Sequence, residues 1–219
     1  RFPEEADFED IVLYPSVETA YTVVTDAGVL PGERVLVIGQ GVIGLLAAEM
    51  LGAICGDRLA VLEPDESRRA RSEELGIRSY SPGDEDALAR LRSFWGGGAD
   101  KIINLSASGE GLQTGIDFAE FGAVVIEASW YGSESVSLRL GEAFHRRRLS
   151  IRSSQVSSLP DGLRGRWPRS RRTSEVKRLT MKLHPSKYIT HRYPFEEVSR
   201  AYGEIFSGSG EVLQAVIVP

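Results

Sequence analysis

Gly39-Gln40-Gly41-Val42-Ile43-Gly44 carries the spacing G-x-G-x-x-G, directly after the apolar run Val35 to Ile38 and directly before the helix-like run Leu45 to Ala53. A glycine turn between a strand and a helix is suited to hold phosphate. Gly39 permits the tight turn out of the strand, Gly41 leaves room for a pyrophosphate against the backbone, and Gly44 lets helix and strand pack closely. The helix N-terminus adds unpaired N–H groups and roughly half a positive charge. A second chemical group stands at the expected distance. The apolar run Leu59 to Leu62 ends in Glu63, 19 positions beyond Gly44, where a carboxylate can accept hydrogen bonds from a ribose hydroxyl. Such a carboxylate favours NAD(H) and repels the 2′-phosphate of NADP. Arg68 admits three readings: it lies against an adenine face, it pairs with a 2′-phosphate, or it is a solvated charge on a helix from Asp65 to Leu75.

The elements that must position these groups follow from the alternation of apolar runs and helical patterns. Strands are predicted at Val35 to Ile38, Leu59 to Leu62, Ser79 to Tyr80, Lys101 to Leu105, Val124 to Glu127 and Leu149 to Ser153. Helices are predicted at Val42 to Ala53, Ser67 to Leu75, Glu85 to Phe94, Gly111 to Phe121 and Gly141 to Arg147, with Gly76 placed to end the second. Repeated strand–helix units predict an α/β fold: a doubly wound parallel sheet of six strands in the Rossmann order 3-2-1-4-5-6. Val17 to Ala27 reads as a helix ahead of the first strand. After the sixth strand, Ser157 to Gly162 is turn chemistry and Arg164 to Arg172 is basic and poorly patterned. Helices at Ser174 to Leu183 and from Tyr193-Pro194 to about Phe206 follow. The glycine turn Gly208-Ser209-Gly210 leads to a final strand, Val212 to Val218. A lone helix and strand cannot bury their apolar faces, so this tail requires a partner sheet.

Composition narrows the function classes. Of 219 residues, 42% are hydrophobic and 26% charged, an ordinary globular balance. No apolar run approaches the roughly 20 residues of a membrane helix, and the first residues lack the order of a signal peptide, so no membrane partner is expected and cytoplasmic residence is the default. Cys55 is the only cysteine, which excludes an intrachain disulfide and a Cys₄ zinc site. Between Arg139 and Arg192 fifteen Lys or Arg stand against three acids although the whole chain carries −5. Without interleaved aromatics this is read as a surface of Arg paired with acidic neighbours, and no nucleic acid is expected. The three histidines, His145, His184 and His191, share no metal-ligand spacing, so no metal site is assigned.

Several stretches together resemble the medium-chain dehydrogenase/reductase superfamily, the zinc-type alcohol dehydrogenases. They are Leu30 to Gly39, Glu63 with Arg68, Glu74-Leu75-Gly76, Gly98-Ala99-Asp100, Ser106 to Gly109, and Ile189 to Glu197 with Ala201-Tyr202. The resemblance implies three divisions: 1–30 as the end of a catalytic-domain segment with its linking helix, 31–155 as the NAD-binding domain, and 156–219 as a return segment of an incomplete second domain. It also implies that most of a GroES-like catalytic domain is missing from this chain, in keeping with a first residue, Arg1, that reads as a continuation. The family's zinc ligands come chiefly from that part, and the one position inside this chain is aligned with Tyr14, which is not a usual zinc ligand. Glu18 is nearby, but one carboxylate makes no site.

By the same resemblance Ser106 lies on the adenosine side, while Ser129, Trp130 and Ser154 line the nicotinamide end; Trp130 and Tyr131 equally suit ordinary packing. The edge strand Leu149 to Ser153 would pair two copies into a homodimer. The expected activity is NAD(H)-dependent hydride transfer between alcohol and carbonyl carbons of a small molecule, with no catalytic residue assigned and no zinc in this chain. Two alternatives stand beside it: a non-catalytic dinucleotide-binding or interaction module that works with a partner chain, and a metal-free reductase using Tyr14 or Tyr131 as proton donor.

Overall fold

The computed structural model of the chain describes residues 2–206 and 212–219; the predicted turn Gly208-Ser209-Gly210 lies outside them. The helices α1 (Phe8–Val12) and α2 (Tyr14–Ala27) precede β1 (Val35–Ile38). The chain then alternates through α3 (Val42–Cys55), β2 (Leu59–Leu62), α4 (Glu66–Glu74), β3 (Arg78–Tyr80), α5 (Glu85–Trp95), β4 (Ala99–Asn104), α6 (Gly109–Phe118), β5 (Ala119–Glu127) and β6 (Ser150–Ser153). All neighbouring strands pair in parallel, in the order β3-β2-β1-β4-β5-β6. This is the doubly wound Rossmann arrangement.

The strands read as unbroken apolar runs because helices cover both faces of the sheet. Leu36, Ile38, Leu62 and Ile102 pack to one side with Leu91, Ile116 and Phe118; Val35, Val37, Val61 and Ile103 pack to the other with Leu51 and Ile77. Side-chain caps start α4, α5 and α6. Asp65 accepts from the Arg68 N–H, Asp84 from Ala87 and Ser108 from Gly111, each cap contributing about 1 kcal/mol. Gly76, at φ +74°, follows α4 in the left-handed conformation as its sequence position predicts.

Several local expectations are corrected. The strand predicted at Val124 is the end of a longer one. Ala119 already pairs with Ala99, so α6 stops at Phe118 rather than Phe121. Phe121 is 62% exposed, and its apolar character had extended the helical pattern falsely. The predicted helix Gly141 to Arg147 is a short irregular turn over Leu140–Phe144, broken by a non-helical Glu142 at φ −98°, ψ −113°. The basic stretch from Arg164 resolves into a short turn and then α7 (Arg169–Leu183), which begins five residues ahead of the predicted Ser174. The helix expected from Tyr193-Pro194 starts only at Val198, because those two residues are held in a strand pairing that the local pattern does not reveal.

That strand, β7 (His191–Pro194), is followed by α8 (Val198–Phe206) and β8 (Ala215–Val218), which begins three residues later than predicted. β7 and β8 form a separate two-stranded parallel sheet. The buried Asp10 carboxylate ties α1 to the turn after α7. It accepts from the Ser186 N–H at 2.9 Å and faces His184 Nδ1 at 2.9 Å.

Candidate dinucleotide site at the carboxyl edge of the sheet

The glycine turn is built by collision. A Cβ on Gly39 would fall 2.8 Å from the Leu105 backbone, and one on Gly44 would fall 2.0 Å from the Gly39 carbonyl oxygen. Real Cβ atoms do not approach that closely, so only glycine brings β1, β4 and α3 together here. Gly41 has open space instead. It is also the N-cap of α3 and has no side-chain cap, so the N–H groups of Gly41, Val42, Ile43 and Gly44 lack intrahelical partners and are available to an anion.

Glu63 is 4% exposed and closes this turn. Its Oε2 accepts from the Gln40 N–H at 2.7 Å and its Oε1 from the Asp65 N–H at 3.0 Å. One carboxylate therefore braces both the glycine turn and the start of α4. Gln40 turns inward rather than toward a ligand. It is fully buried, its Nε2 donates to the Gly39 carbonyl at 2.8 Å, and its Oε1 accepts from Ser72 Oγ at 3.0 Å. The Gln40 N–H and side chain are thus bonded to Glu63, Gly39 and Ser72.

A cavity of about 560 Å³ opens beside the turn. Gly39, Gly41, Glu63, Arg68 and Ser106 line it, and the apolar wall comes from Ile38, Leu62, Leu105 and Pro64. Arg68 is half-buried, and its Nε is buried without a hydrogen-bond partner among the described residues. Sequence reasoning missed Pro82 and Gly83, which follow β3, and Glu110, Gly111 and Thr114 on the first turns of α6; of the loop Ser106 to Gly109 it named only Ser106 as a contact, whereas the N-cap Ser108 lines the cavity as well. A usable signal was present in the cap: Ser108 two residues past Ser106 marks a helix start pointing at the same edge.

Ser129, Trp130 and Ser154 lie outside this cavity. Ser129 Oγ accepts from the Ala107 N–H at 3.0 Å, Trp130 is 89% exposed, and Ser154 Oγ donates to Asp26 at 2.6 Å. At the ends of β4 and β5 a polar network joins Asn104 and Glu127, which the sequence did not single out, to Ser129 and Tyr131. Asn104 and Glu127 are register partners; Asn104 Nδ2 donates to Glu127 Oε2 at 2.8 Å, and the Ser129 N–H donates to Glu127 Oε1 at 2.8 Å. The Tyr131 hydroxyl lies 3.3 Å from the same carboxylate. Burial, together with the negative charge of Glu127, pushes the Tyr131 pKa up, opposite to the tuning of a proton donor near neutral pH. Tyr14 is pushed the same way, by burial first and the Glu18 charge second, and its ring stacks edge-on against Phe2.

Among the described residues no three His, Cys, Asp or Glu side chains come together around one point. Burial holds the Cys55 thiol pKa up at about 11, and His184 and His191 are engaged with Asp10 and Thr190. These donors do not fit a zinc ion. Much of the basic segment is paired within the fold: Arg172 with Glu18, Arg178 with Glu175, Arg192 with Glu9, and Arg171 over the Trp167 ring. No helix among the described residues is long and apolar enough to cross a membrane.

No family model matches the chain. It is 27% identical over 196 residues to L-galactonate-5-dehydrogenase of Escherichia coli K12, covering 87% of this chain and 53% of that protein. With sorbitol dehydrogenase of Rattus norvegicus it shares 23% identity over 214 residues, covering 96% of this chain and 57% of that one. A solved structure of a short chain alcohol dehydrogenase from E. coli CFT073, complexed with the cofactor NADH, superposes with a TM-score of 0.79 at 18% identity, over 100% of this chain and 62% of the other. The chain thus spans about half the length of the curated relatives it matches.

Proposed function

We propose that this chain, whose homologues are the zinc-type alcohol dehydrogenases of the medium-chain superfamily, binds NAD(H) and acts as the cofactor-holding part of an alcohol or polyol dehydrogenase. The observation that carries the reading is the union, in one cavity, of the open Gly41 backbone, the braced Glu63 carboxylate and Ser106. The free N–H groups of Gly41 to Gly44 would hold the pyrophosphate. Glu63 keeps lone pairs for a ribose hydroxyl beyond the two amides it already accepts, since an ionised carboxylate offers about four acceptor sites. The apolar wall of Ile38, Leu62 and Leu105 would take the adenine, with Arg68 across from it. When bound, the nicotinamide supplies or accepts the hydride; the chain's part is to orient it and exclude water.

The charges lining the cavity support NAD over NADP. Among the described residues Glu63 and Glu110 face a single cation there, Arg68, so a 2′-phosphate dianion would meet net negative charge. Residues 31–155 are proposed as the cofactor unit, 1–30 and 156–219 as parts of a second unit. Ser129, Trp130 and Ser154 are proposed for the nicotinamide end, and β6, exposed along its length, as the strand that pairs two copies. The small β7–β8 sheet with exposed Phe195, Tyr202 and Phe206 favours a second reading, in which a partner chain completes the catalytic part.

Calorimetric titration with NADH and NADPH tests the proposal. The expected result is micromolar NADH affinity and at least tenfold weaker NADPH; no heat with either dinucleotide overturns it and leaves the interaction-module reading in its place.

A further inference from the structure

In the six-stranded sheet two acids stand at the carboxyl ends of strands: Glu63 directly after β2 and Glu127 as the last residue of β5. Glu63 has its place beside the proposed adenosine half. Glu127 is half-buried, and the donors bonded to it are all neutral. Its Oε1 accepts from the Ser129 N–H at 2.8 Å, and its Oε2 accepts from Asn104 Nδ2 at 2.8 Å and from the Tyr131 hydroxyl at 3.3 Å. No Lys, Arg or His pairs with it among the described residues. Asn104 is fully buried, and its amide is oriented from the cavity side. Its Oδ1 accepts from Ser106 Oγ at 2.8 Å and from the Ser106 N–H at 3.3 Å, which leaves Nδ2 to face Glu127. Ser106 lines the dinucleotide cavity. The Glu127 carboxylate therefore stands two hydrogen bonds behind that wall.

Other acids at similar depth are treated differently. Glu18, Glu33, Glu49, Asp100 and Glu120 are likewise partly buried, and each pairs with a Lys or Arg; Asp65 caps α4. Glu127 is held only by dipoles and keeps its charge without a countercharge. The strand order says what reaches it. With adenosine over β2 and pyrophosphate at the start of α3, the other half of a dinucleotide passes β1 toward β4 and β5. β5 stands two strands from β1, about 10 Å at the usual strand spacing, within reach of the ribose and ring that follow the pyrophosphate. That ring is the one part in which the oxidised and reduced cofactors differ in charge: nicotinamide is cationic in NAD⁺ and neutral in NADH. A carboxylate in partly buried surroundings attracts such a cation more strongly than it would in water, and salt screens it less.

We infer that Glu127 is a charge-selective residue of the dinucleotide site, whose carboxylate favours the oxidised cofactor over the reduced one. The inference rests on the dinucleotide reading above. The chain is titrated with NAD⁺, NADH and ADP-ribose, which shares the adenosine, pyrophosphate and second ribose but has no ring, and then as E127Q and E127T, which remove the charge with two different side chains, and E127D, which keeps it. Melting temperatures are measured on all three variants. In both neutral variants NAD⁺ is expected to weaken about tenfold while NADH and ADP-ribose stay within about twofold of the parent; that change in ratio raises the potential of the bound couple by about 30 mV for two electrons. E127D is expected to keep the parent ratio. A ratio of NAD⁺ to NADH affinity that falls about threefold or more in either folded neutral variant, and holds in E127D, supports the inference. A smaller change overturns it, as does an equal weakening of NAD⁺, NADH and ADP-ribose, which is the signature of a purely structural role, or a shift that E127D shares. An unchanged ratio with parent NADH affinity leaves the dinucleotide reading standing, whereas a parent that binds none of the three ligands overturns both.

Discussion

Replacing Glu63 with Gln tests the brace at the centre of the proposed site. In the parent, two backbone N–H groups, the buried one of Gln40 and the partly buried one of Asp65, donate to the two oxygens of one carboxylate at 2.7 and 3.0 Å. The amide of the E63Q variant keeps the shape but has only one acceptor oxygen, so its NH₂ must face one of those donors. One of these N–H groups is left without its partner, at about 1–3 kcal/mol, and the remaining bond loses its charge assistance. For a chain of this size each kcal/mol shifts the melting temperature by about 2–4 °C, so E63Q is expected to melt roughly 2–12 °C below the parent. NADH affinity is expected to fall about tenfold or more, because the turn that carries Gly41 is no longer fixed and the ribose loses an ionised acceptor. The assay is paired: scanning calorimetry for the melt and titration for the affinity. A variant that melts within about 1 °C of the parent and binds NADH equally well refutes the brace.

Arg34 and Asp100 form a bidentate pair, Nε to Oδ2 at 2.9 Å and Nη2 to Oδ1 at 2.6 Å, and the Arg34 hydrogen bonds hold the Asp100 pKa below its ordinary value. A depressed carboxylate pKa stabilises the fold above the unfolded value, about 3.9, and this is lost as pH falls through the folded value; D100N should lose about 1.5–3 kcal/mol at pH 7 and progressively less as pH falls below the unfolded value, read by urea melts across that range. The Tyr21 hydroxyl is buried and without a hydrogen-bond partner among the described residues; Y21F is expected to raise the melting temperature by about 2–4 °C, and a drop would show that the hydroxyl has a partner in solution. Cys55 is buried with its thiol pKa raised to about 11, so iodoacetamide should leave the native chain unmodified at pH 8 and alkylate it in urea. Pairing through β6 predicts a dimer at micromolar concentration in sedimentation, converted to monomer by Ile151→Pro, which removes a ladder N–H; a monomeric parent counts against it.

Much of the site's frame was legible because short-range rules govern it. The glycine spacing, the apolar runs of β1 and β2, and Glu63 as the last residue of its run before the α4 cap are set by neighbours a few positions apart, and the chain brings Gly39, Gly41 and Glu63 to one cavity; Arg68, whose role the sequence left open, and Ser106, named only through the family resemblance, line it too. The alternation of strand and helix likewise determined a doubly wound sheet in the observed order, since a right-handed crossover leaves few other ways to cover both faces. Tertiary structure alone decided what the same residues touch. Gln40 sits inside the motif yet turns inward, because Ser72, thirty-two positions away, offers its hydroxyl. β5 begins at Ala119 because Ala99 is there to pair with it. Asn104 meets Glu127 only through strand register, and Arg172 meets Glu18 only because α7 returns to α2. Period and propensity report on a few consecutive residues, whereas these pairings close loops of twenty to more than a hundred and fifty, and their partners are fixed by which surfaces the packed sheet brings within hydrogen-bond reach.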